Sequence, residues 1–150
     1  MKLAEALILR ADLQKRLLQL RERLELNARV QEGEQPAEDP AALLKELDAL
    51  LSEQEDLFRR INLTNARTEA GGELLTALLA RRDCLTEKIS MLRDFLNTAS
   101  NITGRTSRME IKIHSTVPVA ELRKQVDSLS KQLRELDIRI QSANWTAELQ

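Results

Sequence analysis

The side chains able to do chemistry are few, and their spacing does not bring them together. His114 is the only histidine and Cys84 the only cysteine. Any Ser-His-Asp or Cys-His relay would have to pass through one of them. Cys84 follows "ARRD", beside Arg81 and Arg82. Cationic neighbours lower a thiol's pKa, yet the position reads as a small residue on a helix flank. Zinc sites need at least three protein ligands, mostly Cys and His, and one of each is too few. Carboxylate-bridged di-metal bundles need Glu-x-x-His motifs on facing helices, and the chain has none. The acidic run at 32–39 lacks the alternation of a calcium loop. There is no phosphate loop and no Gly-x-Gly-x-x-Gly. The expectation is a protein that is not an enzyme and carries no cofactor or metal.

Two polar features remain. "RINLTNARTE" places Arg60, Asn62, Thr64 and Asn65 near the end of one helix, and "ARRD" places Arg82 and Asp83 beyond Gly71 and Gly72. Thr64 and Arg82 fall on apolar stripes. An unpaired polar group there costs about 1–3 kcal/mol, so Arg60, Thr64, Asn65, Arg82 and Asp83 are expected to form a polar network that sets helix register. A small anion pocket is the alternative use. The second feature is a basic patch over 105–124, with Arg105, Arg108, Lys112, Arg123 and Lys124 against Glu110 and Glu121. It suits an anionic partner. No aromatic side chain interleaves it for base stacking, and the net charge is −1, so nucleic acid is not the expected partner.

The elements that position these groups are long helices. The chain has 150 residues, one domain's length, with 42% hydrophobic and 31% charged residues. Its aromatics are Phe58, Phe95 and Trp145, so the core is aliphatic. Helices are expected at about 2–30, 40–68, 73–100 and 118–143. In the first, Leu9, Leu13, Leu17, Leu20 and Leu24 follow steps of three and four, and Leu3, Ala6, Leu7 and Leu18 widen that stripe. Gly33, Pro36 and Pro40 break it. Asp39 and Pro40 open the second helix, where Leu43, Leu47, Leu50, Gln54, Leu57, Ile61 and Thr64 form one stripe and Leu44, Leu51 and Phe58 another beside it. The third carries Leu75, Leu78, Arg82, Leu85, Ile89, Leu92, Leu96 and Ala99. Pro118 opens the fourth, whose seam is Val119, Leu122, Val126, Leu129, Leu133, Leu136, Ile140 and Ala143. The expected fold is all-α, an elongated four-helix bundle or coiled coil with one short strand between helices three and four.

That strand is "SRMEIKIHSTVPVAEL". Met109, Ile111, Ile113 and Val117 alternate with polar residues over about 107–116, a period of two. A lone strand leaves both edges unpaired, and no second segment alternates as well. Antiparallel pairing with the same segment of another copy is one answer. A crossover draped on its own bundle and a local hairpin are the others.

"MKLAEALILRAD" is broken by Glu5 and has no cleavage site, so it is not expected to be a signal peptide. No apolar run approaches the ~18 residues of a membrane span. The chain is expected to be cytoplasmic.

The segments "KLAEALILRADLQKRL", "RINLTNA", "ALLARRD", "SRMEIK" followed by "STV", and "RELDIRIQSANWTAEL" resemble the small bacterial proteins called septicolysin-like. That resemblance spans essentially the whole chain. It implies a pore-forming cytolysin and assigns no catalytic or binding residue.

Taken together, the residues point to a structural or interaction protein forming a homo-oligomer, a dimer or a ring of dimers. Its contacts would be the 107–117 strand (Met109, Ile111, Ile113, Val117) and heptad faces, chiefly Leu122, Val126, Leu129, Leu133, Leu136 and Ile140. A membrane-active α-helical cytolysin and an anion or nucleic-acid binder using the basic patch are the alternatives.

Overall fold

The computed structural model describes residues 1–102 and 112–150. The elements in chain order are α1 (Leu3–Leu26), α2 (Pro40–Arg67), β1 (Glu69–Ala70), β2 (Glu73–Leu74), α3 (Leu75–Ser100) and α4 (Val119–Thr146). The chain forms two compact units, Met1–Glu69 with Ser142–Gln150, and Ala70–Gln141.

In the first unit α1 and α2 pack on each other. Arg23 near the end of α1 meets Glu46 near the start of α2, so the helices run antiparallel. Leu3, Ala6, Leu13 and Leu20 of α1 are buried, as are Leu43, Leu50, Leu57, Ile61 and Thr64 of α2. These positions recur in steps of three, four and seven, which keeps them on one side of each helix. The start of α1 is closed by the Lys2 N–H, which donates to the Glu5 carboxylate at 2.6 Å, the reciprocal half of a capping box. At α2 the Asp39 side chain accepts from the Ala41 N–H at 3.1 Å, and Pro40 holds the first helical position.

Helix α1 stops at Leu26, earlier than the expected Val30. The cause is Asn27, which is buried. Its Nδ2 donates to the Arg23 carbonyl at 2.8 Å and its Oδ1 accepts from the Glu38 N–H at 2.9 Å. A short amide side chain that bonds the backbone this way competes with helix propagation. The chain's last residues return to this unit. Lys2 and Glu148 form an antiparallel bridge, with the Leu3 N–H donating to the Ala147 carbonyl at 3.0 Å and the Leu149 N–H to Met1 at 2.9 Å.

In the second unit, the short strands β1 and β2 form a two-stranded sheet that begins at the boundary of the units. Gly71 and Gly72, at φ +62° and +80°, are the two central residues. Positive φ at both is what a tight hairpin of this hand requires, and glycine adopts it without a steric penalty. On α3, Leu75, Leu78, Ile89 and Leu96 are buried. Ile89, Leu96 and Val126 form a core cluster with Leu85, Leu92, Val119, Leu122, Leu129 and Leu133 packed around it. Leu136 and Ile140 of α4 are buried as well.

Of the strand expected at about 107–116, residues 107–111 lie outside the described residues, and the strands that are described flank Gly71 and Gly72. Residues 112–116 carry none, and Ile113 is exposed. The Ser115 hydroxyl donates to the Val117 carbonyl at 3.1 Å and accepts from the Val117 N–H at 3.5 Å. That local turn takes the groups a β-ladder would use. Met109 and Ile111 lie outside the described residues. Helix α4 continues past the expected end at Ala143 to Thr146. Asn144 is buried within it and Trp145 is exposed.

Candidate interaction surfaces and polar clusters

Thr64 sits fully buried on the inner stripe of α2. Its hydroxyl donates to the Arg60 carbonyl at 2.8 Å, one turn earlier, and accepts from the Gln150 N–H at 2.9 Å. Arg60 Nε donates to the Gln150 carbonyl oxygen at 2.8 Å, and Arg67 to the Gln150 side-chain oxygen at 3.3 Å. These groups therefore hold the chain's C-terminal residues. Arg82 and Asp83 pair with each other at 2.8 Å on the surface of α3, and Thr86 donates to the Arg82 carbonyl. Asn65 is half-buried. Of the basic patch, Lys112, Arg123 and Lys124 are exposed, while Arg105 and Arg108 lie outside the described residues.

Two clusters were not singled out from the sequence. Arg23 makes bidentate contact with Glu38 at 2.6 and 3.0 Å and also reaches Glu46 at 3.2 Å. The guanidinium fork matches paired carboxylate oxygens. Its pKa is driven upward by Glu38 first and Glu46 next, and Arg23 in turn lowers that of Glu38. The second cluster clasps the Gly71–Gly72 turn. Arg139 donates to the Ala70 carbonyl at 2.5 Å and to Glu73 at 3.3 Å, and Arg81 binds the other Glu73 oxygen at 2.5 Å. The Glu73 pKa is lowered, chiefly by Arg81 and then by Arg139. At the chain's ends, Glu148 is lowered in the same way by Lys2 and the Met1 amine.

These three carboxylates give the protein an acid-sensitive component. Each folded-state pKa lies below the ordinary 4.5. Their stabilisation is thus present above that value and lost as pH falls through the folded-state pKa. All three are solvent-accessible, so screening by salt reduces the effect. A Glu73→Gln chain is expected to melt below wild type at neutral pH, and the gap is expected to close as pH falls through the lowered folded-state pKa of Glu73. A gap unchanged across that range would show that Glu73 acts without its charge.

Among the described residues, no group of three His, Cys, Asp or Glu is placed to hold a metal ion, and no helix is long and apolar enough to cross a membrane. A groove of about 820 Å³ runs along the loop after α1 past Leu26, Val30, Gln35 and Glu38, and it is open to solvent. The remaining surface of interest is apolar. Leu44, Leu51 and Phe58 of α2 stay exposed beside the buried seam. On α3, Met91 and Phe95 are 65% and 47% exposed, bordering a shallow groove of about 530 Å³.

Comparison with known proteins places this architecture. The chain is 43% identical to a functionally unknown conserved protein from Corynebacterium diphtheriae whose crystal structure is known, over 100% of this chain and 99% of that one, with a TM-score of 0.93. No curated protein matches it. The resemblance to septicolysin-like proteins is overturned: neither the solved structure nor the matching family model indicates that family, and both concern proteins of unknown function. That model spans residues 10–149, from the first turns of α1 through the C-terminal segment, and the chain belongs to the family of unknown function DUF6847.

Proposed function

We propose that this is a non-enzymatic interaction protein that assembles with copies of itself through exposed helix faces. One observation carries the reading: after the inner seams of α2 and α3 are filled, both helices keep a second apolar stripe in water. Leu44, Leu51 and Phe58 are spaced by seven residues on α2, and Met91 and Phe95 follow Cys84 on α3. Scattered exposed apolar residues are ordinary, but stripes at heptad spacing are the pattern by which helices pair. Burying such a stripe yields about 25 cal/mol per Å² of apolar area. The strand contact is left out of this reading because Met109 and Ile111 lie outside the described residues and Ile113 is exposed.

Light scattering on a sizing column tests it. The monomer mass is 17.1 kDa. The expected result is a discrete multiple of that mass that dissociates on dilution. A monomer at every concentration up to the solubility limit would remove the reading.

A further inference from the structure

Residues 147–150 follow α4 as an extended strap. Ala147 and Leu149 are half-buried, and Glu148 and Gln150 are exposed, so the strap lies on the surface of the first unit and not in its core. Most of its hydrogen bonds pass through the backbone. The Leu3 N–H donates to the Ala147 carbonyl and the Leu149 N–H to the Met1 carbonyl, which is antiparallel strand pairing. The Gln150 N–H donates to the Thr64 hydroxyl, and the Gln150 carbonyl accepts from Arg60 Nε. Strand addition of this kind accepts many sequences, because main-chain groups supply the affinity and a few side chains the selectivity.

Two side chains of the strap are anchored. The Glu148 carboxylate meets Lys2 Nζ at 2.5 Å and the Met1 amine at 3.3 Å. Gln150 Oε1 accepts from Arg67 at 3.3 Å. Four cationic groups therefore converge on a segment with one acidic side chain, and Asp56, 4.0 Å from Arg60, offsets one of them. The receiving surface suits a segment more acidic than the one it holds. Beneath it the Thr64 hydroxyl is 0% exposed and already donates to the Arg60 carbonyl. It offers the strap only an acceptor, which suits a backbone N–H.

We propose that residues 1–3 and the last turns of α2 form a docking site for an extended acidic segment of a partner protein, and that residues 147–150 occupy it as an autoinhibitory strap. The site uses none of the exposed apolar stripes of α2 and α3, so it stands apart from self-association.

The test uses the full chain carrying E148K and L149P. These reverse the charge opposite Lys2 and remove the Leu149 N–H, and they leave every receiving group intact. The probe is a fluorescein-labelled peptide of residues 144–150, followed by anisotropy. The released-strap chain is expected to bind it about 100-fold more tightly than wild type, whose own strap competes at a local concentration of ~mM against an affinity of ~10 μM. Adding Thr64→Val to the released-strap chain weakens binding about tenfold, the scale of one hydrogen bond. A peptide with Glu148→Lys also binds about tenfold more weakly, and one with Gln150→Glu binds more tightly. Equal binding to wild type and the released-strap chain overturns the strap. No binding by a released-strap chain of unchanged circular dichroism overturns the docking site, as does binding indifferent to Thr64→Val and to Glu148→Lys in the peptide. A released-strap chain that stays unfolded in excess peptide shows residues 147–150 to be part of the core and overturns both. If wild-type and released-strap chains form a mixed dimer that excess peptide dissolves, the occupant is a second copy and the partner protein is overturned.

Discussion

Replacing Leu20 with alanine is expected to destabilise the protein by about 2–5 kcal/mol, whereas Leu18→Ala is expected to change stability by less than about 0.5 kcal/mol. The two leucines are two positions apart on α1 and equally apolar. Leu20 is 0% exposed and Leu18 is 59% exposed. Removing the buried side chain loses its transfer free energy and leaves a cavity between α1 and α2 that close-packed neighbours fill only partly. Removing the exposed one returns a few methylenes to a state they already occupied. Urea unfolding followed by circular dichroism measures both, and an unchanged slope shows that the comparison is one of stability alone. Equal losses for the two variants would mean that Leu18 is also covered, which points to a contact with another copy.

Gly71→Ala is the second large effect. A Cβ built on Gly71 lies 2.9 Å from Arg139 Nη2 and 3.3 Å from the guanidinium carbon, and the backbone there is at φ +62°. Two costs therefore combine. The left-handed conformation costs an L-residue about 1–2 kcal/mol, and the new methyl group presses on the guanidinium that holds the Ala70 carbonyl and Glu73. Gly72, at φ +80°, has open space where its Cβ would go, so Gly72→Ala carries only the first cost. A double-mutant cycle separates them. In an Arg139→Ala background the excess of Gly71→Ala over Gly72→Ala is expected to vanish, leaving the shared backbone term. An excess that persists would place the clash elsewhere than on Arg139.

Much of the helical pattern is visible in the sequence because heptad spacing is local. On α2, Leu43, Leu50, Leu57, Ile61 and Thr64 are buried and Leu47 and Gln54 half-buried. On α3, all eight residues from Leu75 to Ala99 on the expected stripe are buried or half-buried. On α1 the same reasoning took Leu9 and Leu18 into the stripe. The observed seam instead runs through Leu3, Ala6, Leu13 and Leu20 to Asn27, with Arg10 half-buried on it. A leucine-rich helix offers more than one apolar stripe, and only the neighbouring helix selects which is covered.

The polar residues divide in the same way. Thr64 drew attention because a hydroxyl on an apolar stripe needs a partner, and it has two. That one of them is Gln150, 86 positions away, is not contained in any local pattern. Arg23, Arg81 and Arg139 look like surface arginines until the fold brings Glu38, Glu46 and Glu73 to them. The strand expected at 107–116 was drawn from alternation alone, and its first half lies outside the described residues.

The helices of the described residues, their glycine and proline boundaries and most of their buried seams were legible in the sequence, because each depends on side chains within a few turns of one another. The tertiary structure alone decided which of several apolar stripes is covered, where the hairpin lies, and which charges pair. Those outcomes depend on residues as far apart as Ala70 and Arg139, 69 positions, and the free energy of such contacts exists only once the chain has closed the loops between them.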